Sequence, residues 1–322
     1  MRPIALLAAA AAVLISFAAS AQTDWPTKPV NMVVPYPPGG LNDAVARVYA
    51  DKLTALLGKT VLVDNRAGAA TTVASNSVAK AAPDGYTIYA GGTSLIINPT
   101  LTGNVQYDPH KSFDLVSLMS FTPFILQVNA DFPPKTMAEL IAYLKANPGK
   151  FNMASSGVGA TNHMAAELFR ARTGLKYTIV PYRGGAQAAQ DLASGNAQMM
   201  FSASLEAKPL LDGGKTRAIA ISSLTRSPAF PAIPTVAEVT DMPDFQAIFW
   251  QAMVVPAGTP KPIVAKLQAA LAKVAADPEV IERFKVQGVE IRSSTPEELK
   301  TFYLNEEKVW TTLIKEQGIK PE

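Results

Sequence analysis

Three glycine-bearing turns in this sequence each follow a short apolar run and each lead into a helix-like pattern. In chain order the runs and their turns are Met32–Pro35 with Gly39-Gly40, Phe151–Ala154 with Gly157 and Gly159, and Tyr177–Pro181 with Gly184-Gly185. A strand that passes through such a turn into a helix leaves the first backbone N–H groups of the helix unpaired, at the positive end of its dipole. These groups suit a bound anion. The repetition predicts a site for an anionic ligand.

Polar side chains adjoin these turns. Asp43 lies at the first helix start, where its charge complements the dipole, and Thr161 and Asn162 are candidate N-caps of the second helix. His163 follows directly, and a nearby helix N terminus predicts a lowered pKa for it. Arg183 lies inside the third turn, where it could clamp a carboxylate through two bonds or tie one part of the fold to another. Asp43 and His163 likewise have structural alternatives, as a helix-stabilising charge and as a helix-start residue without ligand contact.

The sequence contains few residues of the kinds that catalyse reactions. It has two histidines, His110 in a polar loop-like stretch and His163, and no H-E-x-x-H, G-x-S-x-G or P-loop motif. The stretch Gly157–Asn162 begins like a dinucleotide fingerprint, but Asn162 replaces the third glycine, and no acidic residue follows about twenty positions on. Because cysteine is absent, thiol nucleophiles, iron–sulfur clusters and Cys-based zinc sites are excluded. We therefore predict no catalytic residue, no metal site and no cofactor.

The first 21 residues have the form of a secretory signal peptide. A short basic start, Met1-Arg2-Pro3, precedes an apolar stretch from Ile4 to Ala19, and Ala19-Ser20-Ala21 is a small-x-small cleavage site. We expect cleavage near Ala21 and an exported mature protein. The formal net charge is +3, and no Lys/Arg cluster of the kind used for nucleic acids is present. A nucleic-acid partner is therefore not expected.

The elements that must position these residues alternate between short strands and amphipathic helices. This order favours an α/β fold with a largely parallel sheet. The predicted strands are Val30–Val34, Thr60–Val63, Thr87–Ala90, Phe124–Val128, Phe151–Ala154, Tyr177–Val180, Gln198–Phe201, Ala218–Ser222 and Ala252–Val255. The predicted helices include Asp43–Leu57, Met137–Asn147, Asn162–Thr173, Ala186–Ala193, Pro262–Ala275 and Pro296–Gln317.

So many strands favour two smaller sheets, and hence two lobes, over one open sheet. The chain has two candidate crossings between lobes, Leu118–Val128 and Phe245–Val255. We predict one lobe from residues 22–124 and 252–322 and a second from residues 125–251, with the ligand in the cleft between them.

Several ordered motifs carry a resemblance to a known family along the whole mature chain. They begin with Pro35-Tyr36-Pro37-Pro38-Gly39-Gly40-Leu41-Asn42-Asp43, with Ala46-Arg47 behind it, and continue with Asp64–Ala69, Pro83–Thr87, Gly157–His163, Pro181–Gly184, Arg226–Pro228, Pro234–Glu238 and Pro256–Pro260. In these segments the sequence resembles the Bug or TctC proteins, the periplasmic solute receptors of tripartite tricarboxylate transporters.

The resemblance implies a type II periplasmic-binding-protein fold, two α/β lobes joined by two crossing strands that close on a small carboxylate. It also implies a periplasmic, non-enzymatic receptor that uses no cofactor and delivers a dicarboxylate, tricarboxylate or aromatic acid to membrane subunits of such a transporter. We expect a monomer. Combined with the glycine turns, it predicts the ligand-binding residues Tyr36, Gly39, Gly40, Leu41, Asn42, Asp43, Thr93, Ser155, Ser156, Gly157, Gly159, Ala160, Thr161, His163, Tyr182, Arg183, Gly184 and Ser202.

Two departures from the family pattern bear on the ligand. Ser202 stands where many members have an acidic residue, which predicts against an ammonium-bearing ligand, and the stretch after Asp64 reads Ala69-Ala70-Thr71 where a second glycine pair is usual. Two other functions remain open from the sequence. One is an exported hydrolase or isomerase that uses His163 and Asp43 across the cleft, and the other is a sensor receptor that presents the acid to a membrane kinase.

Overall fold

The structure is a computed structural model that describes residues 24–320. The signal-peptide prediction for residues 1–21 falls outside the described residues. Within residues 24–320, no helix is both long enough and apolar enough to cross a membrane.

Ten strands form the sheet framework. They are β1 (Val30–Val34), β2 (Val61–Asn65), β3 (Thr87–Gly92), β4 (Phe113–Asn129), β5 (Asn152–Ser155), β6 (Thr178–Pro181), β7 (Met199–Ala203), β8 (Thr216–Ile221), β9 (Ile248–Pro256) and β10 (Glu290–Ile291). All nine predicted strands are present, although β4 is far longer than predicted.

In the described residues 24–320, ten α-helices pack against these strands. They are α1 (Leu41–Leu57), α2 (Thr72–Ala79), α3 (Ser94–Leu101), α4 (Met137–Ala146), α5 (Thr161–Thr173), α6 (Gly185–Ser194), α7 (Ser204–Asp212), α8 (Lys261–Ala275), α9 (Pro278–Lys285) and α10 (Pro296–Gln317). The sequence patterns did not predict α2, α3, α7 and α9. Two of these, α3 and α7, contain Pro99 and Pro209 in their interiors. A proline removes a backbone donor and argues against a helix interior, but packing against the sheet overrides that preference in both helices.

The sheet is mixed, so the prediction of a largely parallel sheet is wrong. Its strand order is β2-β1-β3-β9-β4-β7-β5-β6, with β8 and β10 also pairing with β4. The outer pairs β1–β2, β1–β3, β5–β6 and β5–β7 are parallel, whereas every pairing of β4 and β9 is antiparallel. The parallel pairs are the βα units that carry the glycine turns, because a parallel connection requires a crossover helix.

Strand β4 joins two halves of the sheet that the sequence predicted as separate sheets. Its residues 113–123 pair with β9, and its residues 124–129 pair with β7 and β8. A strand of 17 residues is about 56 Å long at ~3.3 Å per residue, enough to run through both halves. The chain returns at Ala247, whose N–H donates to the Ser222 carbonyl at 3.0 Å before β9 begins.

A half-buried carboxylate fastens the long C-terminal helix to the half of the sheet that contains β9. Glu306 Oε2 accepts a hydrogen bond from Trp250 Nε1 of β9 at 2.9 Å and another from Trp310 Nε1 of α10 at 3.0 Å. Trp250 and Trp310 are almost completely buried. Helix α10 begins with a capping box formed by Thr295 and Glu298, which satisfies its first donors.

Candidate functional site

A cavity of about 560 Å³ lies between the two halves of the sheet. Its volume is within the usual range for a small-molecule site. It is lined by Tyr36, Pro37, Pro38, Gly39, Gly40, Leu41, Asn42, Phe124, Ser156, Ala160, Thr161, Asn162, Arg183, Gly184, Gly185, Ala186, Ala189, Gln190, Ala203, Leu205, Glu206, Leu210 and Phe249.

Four helices begin at this cavity. The N-cap residues of α1, α5, α6 and α7 are Gly40, Ala160, Gly184 and Ala203, and all four line the cavity. No side chain caps any of these helix starts. The first N–H groups of a helix have no partner within it, so four positive dipole ends converge on one space. This arrangement stabilises negative charge in the cavity.

Asp43 holds the first turn in place. Its Oδ2 accepts hydrogen bonds from Gly39 N at 2.9 Å and from Arg47 Nε at 2.8 Å, and its Oδ1 accepts one from Asn65 Nδ2 at 2.9 Å. Burial alone would raise the pKa of Asp43, but the bonds from Arg47, Gly39 and Asn65 outweigh it and lower that pKa below its usual 3.8. Gly39 has φ +89°, a conformation that favours glycine. Asp43 does not line the cavity, and its carboxylate is occupied by the turn.

Asn162 holds the second turn in the same way. Its Oδ1 accepts from Ser156 N at 3.1 Å, and its Nδ2 donates to Ser156 Oγ at 2.9 Å and to the Phe201 carbonyl at 3.2 Å. The turn is thereby tied both to the start of α5 and to β7. Its N–H groups are fixed before any ligand arrives, which lowers the entropic cost of binding.

A glutamate that the sequence analysis did not select lies beside the third turn. Glu206, in the first turn of α7, lines the cavity, and its Oε2 is buried without a hydrogen-bond partner among residues 24–320. A Cβ placed on Gly185 would lie only 2.7 Å from Glu206 Oε1, so the missing side chain of Gly185 makes room for this carboxyl. Burial raises the pKa of Glu206 to about 7, against a small opposing effect of its own backbone N–H.

The remaining wall is mostly apolar. Tyr36 packs edge-on against Phe249 with ring centroids 6.2 Å apart, and Tyr36 Oη lies 3.3 Å from Ser94 Oγ. Phe124, at the middle of β4, and Leu205 of α7 complete this surface. An apolar wall with few polar groups binds the hydrocarbon part of a ligand and leaves its orientation to those polar groups.

The structure brings together only part of the predicted site. The predicted residues that line the cavity are Tyr36, Gly39, Gly40, Leu41, Asn42, Ser156, Ala160, Thr161, Arg183 and Gly184. The predicted residues that do not line it are Asp43, Thr93, Ser155, Gly157, Gly159, His163, Tyr182 and Ser202. Thr93, Ser155 and Ser202 are completely buried in the protein interior.

Gly157 and Gly159 have a role in packing. Gly159, at φ +74°, approaches α3 so closely that a Cβ would lie 2.8 Å from Leu101 Cδ2. Gly157 has φ +132°, and a Cβ there would be 3.3 Å from the Tyr182 carbonyl. Both glycines therefore shape the turn without reaching the cavity surface.

His163 lines a different, smaller cavity of about 330 Å³. It lies there with Glu167 and Arg170 on one face of α5, facing the end of α10. Its Nδ1 is buried without a hydrogen-bond partner. Burial, with a smaller contribution from Arg170, lowers the pKa of His163 to about 4, so the imidazole is neutral at pH 7. The structure therefore separates His163 from the cleft in which the hydrolase or isomerase hypothesis requires it.

Several cavity residues had no clear signal in the sequence. Phe124 and Phe249 read as ordinary strand residues, and Glu206 follows no glycine turn. Pro209, three residues further on, obscured the helix that carries Glu206. Among residues 24–320, no group of three or more metal-ligating side chains could hold a metal ion.

Comparisons with known proteins agree with this geometry. A family profile described as "Tripartite tricarboxylate transporter family receptor" matches residues 45–319. Protein BugT of Bordetella pertussis is 35% identical over 302 residues, which cover 92% of this chain and 91% of BugT.

Solved structures show the same architecture. The periplasmic binding protein BugD is 35% identical with a TM-score of 0.84, and the match covers 92% of this chain and all of that one. A protein of R. palustris solved with adipate is 31% identical, with a TM-score of 0.86 and coverage of 92% and 100%. MatC from Rhodopseudomonas palustris, solved with bound malate, is 31% identical with a TM-score of 0.83 and coverage of 90% and 100%. The predicted two-lobed fold of type II periplasmic binding proteins is confirmed.

Proposed function

The chain belongs to the tripartite tricarboxylate transporter receptor family, and from that premise we propose that it captures a small organic carboxylate in the cleft between its lobes. The resemblance seen in the sequence motifs is thus confirmed at the level of the family. The observation that carries the proposal is the convergence of four uncapped helix N termini on one largely apolar cavity.

In the proposed complex, the starts of α1 and α5 hold a carboxylate through backbone N–H groups. Leu41 and Asn42 contribute from one side and Thr161 and Asn162 from the other. Each hydrogen bond to a charged group adds about 1.5–3 kcal/mol. The hydrocarbon part lies against the aromatic wall. Relatives solved with adipate and with malate support a carboxylate as the ligand class.

We propose that the lobes are residues 22–124 with 252–322 and residues 125–251, and that they close about the two places where the chain crosses. Phe124 and Ser222 support this division, because Phe124 N donates to Ser222 Oγ at 2.8 Å where β4 leaves β9 and joins β7 and β8. Closure about crossing strands is a hinge movement of the kind that periplasmic binding proteins use.

In the proposed function, the protein binds its acid and releases it unchanged. The structures and the family with which the chain was compared are those of solute-binding proteins and receptors. The carboxylate of Asp43 is taken up by the turn, and His163 lines the other cavity. We further propose that the mature chain is exported after cleavage near Ala21, acts as a monomer, and delivers the acid to membrane subunits of a tripartite tricarboxylate transporter.

Calorimetric titration with pairs of acids and their neutral amides tests the proposal. We expect adipate or another organic acid to bind and its amide to bind at least about a hundredfold more weakly, because two charge-assisted bonds are lost. Ala186→Phe, which adds a ring at the cavity, should weaken binding, while Ser194→Phe at the exposed end of the same helix should not. Equal affinity for acid and amide would contradict the proposal, and turnover of the bound acid would favour the enzyme alternative.

A further inference from the structure

Glu206 is an unexplained feature of a cleft that otherwise stabilises negative charge. It lies where four positive helix ends converge, yet it brings a carboxyl group of its own into the cavity wall. Its Oε2 is buried and without a partner, and Glu206 belongs to none of the ion pairs formed by residues 24–320. An unsatisfied buried acceptor is costly, so its presence calls for a group that satisfies it.

Within residues 24–320, no group is hydrogen-bonded to Glu206 Oε2. Three cationic side chains lie on the adjoining elements. Arg183 is exposed at the edge of the cavity, and Lys208 pairs with Asp212 at 2.8 Å. Arg217 of β8 donates to backbone carbonyls, among them that of Pro134 at 3.0 Å. A Cβ on Gly185 would lie 2.7 Å from Glu206 Oε1 and 3.4 Å from Ser156 Oγ. Gly185 thus leaves the carboxyl a fixed place between α6 and α7.

We infer that Glu206 accepts a hydrogen bond from a hydroxyl or ammonium group of the bound acid, so that the cleft selects donor-bearing carboxylic acids over diacids and unsubstituted acids. This inference rests on the proposed function, because it assigns the second end of the same ligand. Burial leaves Glu206 only partly ionised at pH 7, because it raises the pKa of the carboxyl. An ionised carboxylate is an acceptor only, so a donor opposite it stabilises the ionised form and satisfies both groups. Rotation about the terminal torsion of the Glu206 side chain costs little energy, so either carboxyl oxygen can turn towards that donor.

The position of Ser202 supports the same assignment. Ser202 is completely buried and does not line the cavity. The prediction against an ammonium-bearing ligand assumed that Ser202 faces the cleft, and that assumption does not hold. Glu206, four residues further along the chain, supplies the acidic group at the cavity surface instead.

A matched ligand series tests this inference on the full mature chain. Calorimetry compares derivatives of butanoate, hexanoate and octanoate. Each acid carries a methyl, hydroxyl, ammonium or second carboxylate group at the end of the chain far from the first carboxylate. At the best chain length, we expect the hydroxy or amino acid to bind at least about tenfold more tightly than the methyl acid or the diacid. The order of the hydroxy and amino acids then distinguishes the two donors.

Two variants and one control separate the role of the carboxyl from general damage. Glu206→Gln should weaken binding of the donor-bearing acid at least about tenfold and leave the methyl acid within about twofold. Gly185→Ala, whose Cβ displaces the carboxyl, should reproduce that loss. Asp212→Asn removes an equal charge from the same helix outside the cavity and should change neither affinity.

Four outcomes overturn the inference, and one of them also overturns the proposed function. If none of the acids binds, the proposed function fails. The diacid could instead bind best, bind more tightly below pH 7 than above it, and keep its affinity in Glu206→Gln. In that case Glu206 is a protonated donor, and only the inference fails. If the methyl acid matches the donor-bearing acids, or Glu206→Gln binds all of them like the unaltered protein, the cleft does not use Glu206 to select its ligand.

Discussion

Replacing Asp43 by alanine removes the group that fixes the first anion-binding turn. Three hydrogen bonds are lost, from Gly39 N, Arg47 Nε and Asn65 Nδ2. Arg47 is half exposed, so its ion pair contributes less than about 1 kcal/mol. The bonds from Gly39 and Asn65 reach a buried carboxylate, and their loss adds about 1–3 kcal/mol. We therefore expect Asp43→Ala to lower the free energy of unfolding by about 1–4 kcal/mol in total.

The same substitution should weaken ligand binding, although Asp43 does not line the cavity. A turn that is no longer fixed must be ordered when the carboxylate binds, and we expect the dissociation constant to rise by about ten- to a hundredfold. Calorimetric titration and urea unfolding measure the two effects on one sample. Asp51→Ala is the matched control, because Asp51 is an exposed acid on the same helix. It should leave both quantities nearly unchanged.

The pH dependence gives a second check on Asp43. Its folded-state pKa is lowered from 3.8, so its stabilisation is present above pH 3.8 and is lost as the pH falls through the folded-state pKa. Asp43→Ala should remove that part of the acid transition. If Asp43→Ala lost stability as expected but bound the acid with unchanged affinity, the fixed turn would contribute nothing to the site.

Four further substitutions have distinct expected outcomes. Asn162→Ala should raise the ligand dissociation constant about tenfold in calorimetry, because it frees the turn at Ser156; an unchanged constant would contradict this. As the pH falls, His163 takes up a proton in the unfolded chain before it does so in the folded protein, so the unaltered protein loses about 3 kcal/mol of stability between pH 6.5 and about 4. His163→Gln should flatten the accompanying fall in melting temperature, and an equally steep fall would be the contrary result. Glu206→Gln should raise the melting temperature above pH 7 and leave it unchanged at pH 4.5, since the folded-state pKa of about 7 penalises the ionised form; a uniform shift at every pH would count against it. Ala70→Gly should stabilise the protein by about 1 kcal/mol in urea unfolding, because Ala70 has φ +52°; destabilisation would show that the left-handed turn carries no strain.

The sequence predicts the parts of the site that depend on neighbouring residues. The turn at Gly39-Gly40 and its Asp43 lie within five residues of one another, and the strand-turn-helix order is enough to bring them together. Asn65, the third partner of this group, lies 22 residues from Asp43 and comes into contact only through the pairing of β1 with β2. No local pattern contains that pairing.

The differences between the predicted and the observed cavity lining also have physical explanations. His163 follows Asn162 directly, but consecutive helical residues differ by about 100° in direction, so the two side chains face different cavities. Ser202 lies on a strand whose residues are all buried. Glu206 depends on a helix that contains a proline, which local propensity argues against. Where a side chain points depends on packing that a single sequence does not display.

Backbone amide chemical shifts of nitrogen-15 labelled protein test the central claim most directly. On titration with the acid that binds most tightly, the amides of Leu41, Asn42, Thr161 and Asn162 should shift downfield, as expected when each N–H donates to a carboxylate. Amides around His163 in the smaller cavity should move little. If the acid binds while the amides at the starts of α1 and α5 stay unchanged, the carboxylate is held elsewhere and the account is wrong.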